Sequence, residues 1–226
     1  MDHRRKLAFK PRLEASERRE MIELAAGKLF ASRGYEASSL EEIAGAAGIT
    51  KRVIYDHFPA KRVIYIAILR RRTEELLAVV AGEVDSGAAP AERLPAGIAA
   101  FFRFVQQHPD AWRMLFRDPP ADPQIAAAHR EVQDQATAAI AAMLATHLGA
   151  LSTGPRRQEE WQTLMAEQLK SALNGLAGWW YVHPDVPRSR LVRAAVDFAW
   201  HGLRDLANAD QDHESGSKLR TPAARD

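Results

Sequence analysis

The residues best equipped for chemistry cluster between positions 50 and 61: Thr50, Lys51, Arg52, Tyr55, His57 and Lys61, with Ser39 shortly upstream. Cations such as Lys51 and Arg52 can neutralise nucleic-acid phosphates, and Lys and Arg also read guanine edges. Other chemistries find less to work with. The chain has no cysteine, which excludes disulfides, thiolate nucleophiles and cysteine-based zinc or iron–sulfur sites. Asp197 and His201 stand four apart and His129 precedes Glu131 by two, but no third metal ligand accompanies either pair. No glycine-rich phosphate loop or serine-nucleophile motif occurs. No catalytic residue, cofactor or metal is therefore expected. The alternatives are an all-α enzyme built on a carboxylate–histidine pair and a helical adaptor that binds another protein through exposed aromatics.

Charge supports a nucleic-acid partner. Residues 1–72 hold 16 Lys/Arg against 9 Asp/Glu, whereas residues 73–226 hold 15 against 20. A basic segment on a mildly acidic body suits phosphate binding, because each cation that neutralises a phosphate releases a condensed counterion. Hydrophobic residues make up 46% of the chain and charged residues 27%, enough apolar surface for a packed core. No apolar run is long enough for a membrane span and none follows the basic N-terminus as in a signal peptide, so a cytoplasmic protein without a membrane partner is expected.

The elements that must position the run from 50 to 61 are helices. Ile22, Ala25, Ala26, Leu29 and Phe30 recur with helical spacing, with Ser16 as the expected N-cap and Gly34 as the stop. A short second helix follows, capped by Ser38 or Ser39 with Glu41 or Glu42 as capping-box partner, its buried face being Leu40, Ile43, Ala44 and Ala47. Gly48 breaks it, Thr50 is placed to cap the next, and residues 51–58 form a helix of about two turns, ended by Pro59. Ile54 and Phe58 face inward with Leu29, Phe30 and Ile43; Arg52 with Asp56 and Val53 with His57 lie outward, Arg52 and Asp56 as an expected ion pair. Helix, glycine turn and short helix within about 20 residues is the helix-turn-helix arrangement, whose second helix enters the major groove.

The residues themselves sharpen this. Gly34-Tyr35, Ser38-Ser39, Ile43-Ala44, Ala47-Gly48-Ile49-Thr50, Ile54-Tyr55-Asp56-His57-Phe58 and Lys61 stand in register with the DNA-binding signature of the tetracycline-repressor (TetR) family, which residues 16–65 closely resemble. The resemblance implies a dimeric transcription regulator, usually a repressor, that holds a palindromic double-stranded operator and lets go when a small ligand occupies its C-terminal body. It also implies phosphate contacts from Ser39, Tyr55, His57 and Lys61, and base reading by Lys51 and Arg52. Val53 stands where the family often has Thr or Ala, leaving methyls that can meet a thymine methyl, and Arg62 stands where an acidic residue is common.

An all-α fold is thus expected: a basic arm over 1–14, a helix-turn-helix domain over 15–62, a ligand-binding and dimerisation domain over 63–209 and a disordered tail over 210–226. The arm reads equally as a minor-groove binder and as a solubilising tail. A long helix should run from Lys61 to about Gly82, followed by helices near 92–107, 110–117, 123–148, 157–181 and 188–209. The last two, with Leu164, Leu169, Leu173, Phe198 and Leu203 among their apolar residues, should pair with a second copy as a four-helix bundle. Phe102, Phe104, Trp112, Phe116 and Trp179 are the expected lining of a pocket for an apolar or aromatic effector.

Overall fold

In the computed structural model, residues 14–84, 89–116, 120–148 and 155–200 are described. The basic arm, the tail, His201 and Leu203 lie outside them. All regular structure among the described residues is helical, and no helix there is long and apolar enough to cross a membrane. The chain divides into two compact units at Ile68/Leu69, here the head and the body.

The head contains α1 (Ala15–Arg33), α2 (Leu40–Ala47), α3 (Lys51–His57) and the start of α4 (Lys61–Val84). Glu14, rather than Ser16, is the N-cap of α1; its backbone N–H donates to the Glu17 carboxylate at 2.9 Å, so Glu17 closes the helix end from within. Gly34 stops α1 at φ 84°, as its sequence position suggests. At α2 the cap is Ser39: its hydroxyl accepts from the Glu42 N–H at 3.2 Å, and the Glu42 carboxylate accepts from the Ser39 N–H at 2.9 Å. Gly48 ends α2 in the left-handed region (φ 66°, ψ 30°), with the Ile49 N–H returning to the Ala44 carbonyl at 3.0 Å. Ile22, Ala26, Ile43, Ile54 and Phe58 are fully buried, whereas Leu29 is only half-buried. The unit reaches beyond residue 62 because α4 brings Tyr65 against Phe30 (5.7 Å) and Tyr35 (5.3 Å).

In the body, α5 (Pro90–Gln107), α6 (Pro109–Phe116), α7 (Pro123–Leu148) and α8 (Pro155–Tyr181) each begin on proline. Proline suits a first helical position because its φ is preset and the N–H it lacks would have no partner there. Residues 188–200 are helical too. Along α7 and α8, Leu144, Met165 and Ala166 form a buried cluster with Ile140, Ala141 and Trp161 against it. The turn after α8 is fixed by Trp180, whose Nε1–H donates to the Val186 carbonyl at 2.9 Å.

A Cβ added at Gly48 would meet nothing within 4 Å, so any penalty there comes from the backbone alone. Gly48→Val should destabilise the protein by about 1–3 kcal/mol, the usual cost of a left-handed non-glycine residue. Gly48→Asn should cost much less, since Asn tolerates that region. Urea unfolding midpoints of the two variants check the expectation, and equal midpoints would contradict it.

Candidate nucleic-acid interface

The recognition face is built on α3. Ile54 and Phe58 anchor it, both completely buried. Opposite them Tyr55 is half exposed, Arg52 and Asp56 are exposed, and Lys51, Val53 and His57 are intermediate. Thr50 occupies the N-cap position, but its side chain makes no capping bond; its carbonyl, not its hydroxyl, accepts from Val53 (3.0 Å) and Ile54 (3.3 Å). The hydroxyl at the tip of the helix is therefore not engaged in holding it.

The expected Arg52–Asp56 ion pair is not formed: among the described residues neither side chain has an ion-pair partner. The pairing cation is Lys51 instead. Its ammonium meets the Glu41 carboxylate on α2 and lies 5.9 Å from the centroid of the Tyr55 ring. The hydrogen bond from Lys51 holds the Glu41 carboxyl below its ordinary range, and the same bond holds Lys51 above its own. Glu42 is likewise lowered, chiefly by the Ser39 N–H and hydroxyl, with Arg33 at 2.7 Å adding to the effect.

Two cations support this face from within the head. Arg19 donates to the His57 carbonyl at 2.8 Å, and its guanidinium lies 4.1 Å from the Phe58 ring centroid. It thus places positive charge at the C-terminal end of α3, where the helix dipole favours it. Lys61, which the resemblance assigns to phosphate, sits otherwise. Its ammonium donates to the Tyr35 and Ser38 carbonyls at 2.8 and 2.9 Å and lies 4.2 Å from the Tyr35 ring centroid. In this geometry Lys61 braces the α1–α2 loop, immediately before the Ser39 cap. The Ser39 hydroxyl is also engaged, donating to Glu42 at 2.9 Å.

The expected pocket residues are dispersed. Phe102 is fully buried, edge-on to Phe101 and Trp180; Phe104 is buried against His108. Trp179 is outward and stacks on His183, with 4.1 Å between centroids. The side chain of Phe116 lies outside the described residues. Trp112 borders a cavity of about 290 Å³, between Val105, Pro109, Ala177, Trp180 and Tyr181. A narrower cavity of about 70 Å³, which sequence spacing did not reveal, lies among α4, α5, α7 and α8. Leu169 and Leu173, expected in the dimer seam, instead line this cavity, while Leu164 and Phe198 are 50% and 71% exposed. Glu131 pairs with Arg70 at 2.8 Å, and among the described residues no three His, Asp or Glu side chains gather as a metal site.

A short helix buried on one side, presented on a glycine turn and carrying a basic, tyrosine-bearing outer face defines a helix-turn-helix DNA-binding protein. Residues 24–68 match the family model of bacterial regulatory proteins of the tetR family, and residues 90–202 match that of the tetracyclin repressor-like C-terminal domain. The chain belongs to the TetR family of DNA-binding transcription regulators, which are not enzymes. It is 31% identical over 195 residues to the HTH-type transcriptional activator FasR of Mycolicibacterium smegmatis, covering 85% of each chain. To the HTH-type transcriptional repressor KstR2 of Mycobacterium tuberculosis it is 39% identical over 93 residues, 41% of this chain and 46% of that one. Among solved structures, a TetR-family regulator from Streptomyces coelicolor matches 91% of this chain and 87% of its own, with a TM-score of 0.71 and 26% identity.

The Lys61 geometry gives a test. Lys61→Met should lower the melting temperature of the head while leaving the dependence of log K on log salt for DNA binding unchanged. A phosphate contact would instead remove roughly one unit of that slope. Filter binding between low and moderate salt separates the two.

Proposed function

We propose that this protein is a homodimeric repressor that holds a palindromic operator and releases it when a small apolar or aromatic effector enters the body. The observation that carries the reading is the outer face of α3, where Thr50, Arg52 and Tyr55 are exposed on a helix that Ile54 and Phe58 fix in place. Thr50, Tyr55 and His57, with Ser39 at the start of α2, contact phosphates. Arg52 reads a base edge, Lys51 does so after leaving Glu41, and Val53 offers methyls to a thymine. Two such helices must reach successive major grooves roughly 34–36 Å apart, so a dimer is required. The exposed Leu164 and Phe198 support a seam formed by α8 and the helix after it.

The effector site in this reading is the narrower body cavity. The wider one is a notch whose rim residues Gln106, Pro109, Tyr181 and Pro184 are exposed to solvent. The narrow one has an apolar wall to which α4 contributes Leu76, Leu77 and Val80, and α4 is the continuous helix that begins in the head. A ligand that prefers the DNA-incompetent state by 1–3 kcal/mol would weaken operator binding about 5- to 150-fold, and operator would weaken ligand binding equally. Activation is the second reading, favoured by the name of the Mycolicibacterium relative.

Selection from a random DNA pool should return a two-fold symmetric site, and transcription in vitro from a promoter carrying it should fall when protein is added. A rise would establish activation, and an asymmetric or featureless pool would end the operator reading. Arg52→Ala should change preference at one base pair of each half-site by about 1–3 kcal/mol; an unaltered consensus would make Arg52 a backbone contact. Leu164→Glu and Phe198→Glu should each give monomers in sedimentation, because a charge buried without a partner costs several kcal/mol. Intact dimers from both would move the seam elsewhere.

A further inference from the structure

The effector reading leaves open what the narrow cavity recognises, and the inference here rests on that reading. Apart from Lys170 and Asn174, the side chains lining the cavity are hydrocarbon or thioether, among them Leu77, Val80, Phe101 and Met143. Those two polar residues differ in state. The Lys170 ammonium donates to the Thr137 hydroxyl at 2.7 Å, pairs with Glu167 at 2.7 Å and lies 3.4 Å from the Gln133 carbonyl. Its charge is answered, and in return it holds the Glu167 carboxyl below the ordinary range. Asn174 is not answered: its Oδ1 is buried and accepts no hydrogen bond among the described residues.

A buried acceptor left unmade is costly, and native interiors satisfy nearly all of them. Whichever way a carboxamide is turned it presents both an acceptor and donors, so the group that completes it is one that gives and takes a hydrogen bond. A hydroxyl does both. A carboxylate only accepts, and beside Lys170 it would meet a cation already paired with Glu167, leaving a buried anion without a counter-charge.

Shape narrows the class further. The lining runs from Leu94 to Phe101 on α5 and from Ala136 to Met143 on α7, roughly 10 Å along each helix at 1.5 Å per residue. The cavity between them holds about 70 Å³, well under the roughly 300 Å³ of a pocket for a drug-sized ligand, so the slot suits a slim ligand rather than a bulky polycyclic one. We propose that the slot takes a slim aliphatic chain ending in an uncharged, hydroxyl-type group, with the Asn174 carboxamide as its polar anchor, and that it refuses the corresponding carboxylate.

The test titrates the full-length protein with octan-1-ol, octanoate and n-heptane by calorimetry, with operator retardation measured alongside. Octan-1-ol should bind at least tenfold more tightly than octanoate, and Asn174→Leu should weaken octan-1-ol at least tenfold while heptane binds as before or better. Should Asn174→Leu fail to fold, Ala136→Leu, which fills the slot from α7, should block octan-1-ol with the thermal unfolding transition retained. Octanoate binding as tightly as the alcohol, alcohol affinity indifferent to Asn174→Leu or Ala136→Leu, or binding by none of the probes would overturn the proposal. Release of operator by octanoate would also overturn it while leaving the effector reading standing. Asn174-dependent alcohol binding with unchanged operator affinity would sink the effector reading and leave the site.

Discussion

A helix of seven residues cannot hold itself together in water, because fixing its first turn costs more than so few hydrogen bonds return. The head is arranged around that constraint. α3 persists because Ile54 and Phe58 are buried completely, because Gly48 delivers the chain to Thr50 at the required angle, and because Arg19 holds the His57 carbonyl and covers the Phe58 ring. Losing a side chain such as Phe58 to alanine typically costs about 3–5 kcal/mol, a large share of a small domain's stability. The outer face can therefore be composed for DNA, since none of its side chains is needed to keep the helix formed.

The same division runs through the charged groups. Arg19 and Lys61 turn inward to backbone carbonyls and aromatic rings, and Arg33 pairs with the Glu42 that caps α2. These cations hold the geometry. Arg52 is left exposed, and Lys51 is held by a surface pair with Glu41, of a kind worth about 0–1 kcal/mol, beside the Tyr55 ring. The basic charge of the N-terminal third is thus partly scaffold, and counting its cations overstates how many face a ligand.

The fold was legible wherever the signal is local. The stripe from Ile22 to Phe30, the glycines at 34 and 48, and the proline-led helices of the body are written within a few residues of where they act, and they appear close to their expected places. The site was legible to the extent that α3 has two faces. Three features were not: the Arg19–His57 contact spans 38 positions, the Lys61–Tyr35 contact spans 26, and the cavity at Asn174 needs four helices to assemble. Helical periodicity tells that Leu173 is apolar, but not whether it meets its own chain or a second copy. The aromatic residues misled for the same reason, since Phe102 and Phe104 are large enough to be core before they are anything else.

The Lys51–Glu41 pair gives the family member a property that its contact residues do not reveal. Glu41 lies on α2, outside the recognition helix, yet under the proposed reading it sets how much must be given up before Lys51 can turn to DNA. A residue that touches no base would then tune, through Lys51, how readily the outer face of α3 engages a duplex.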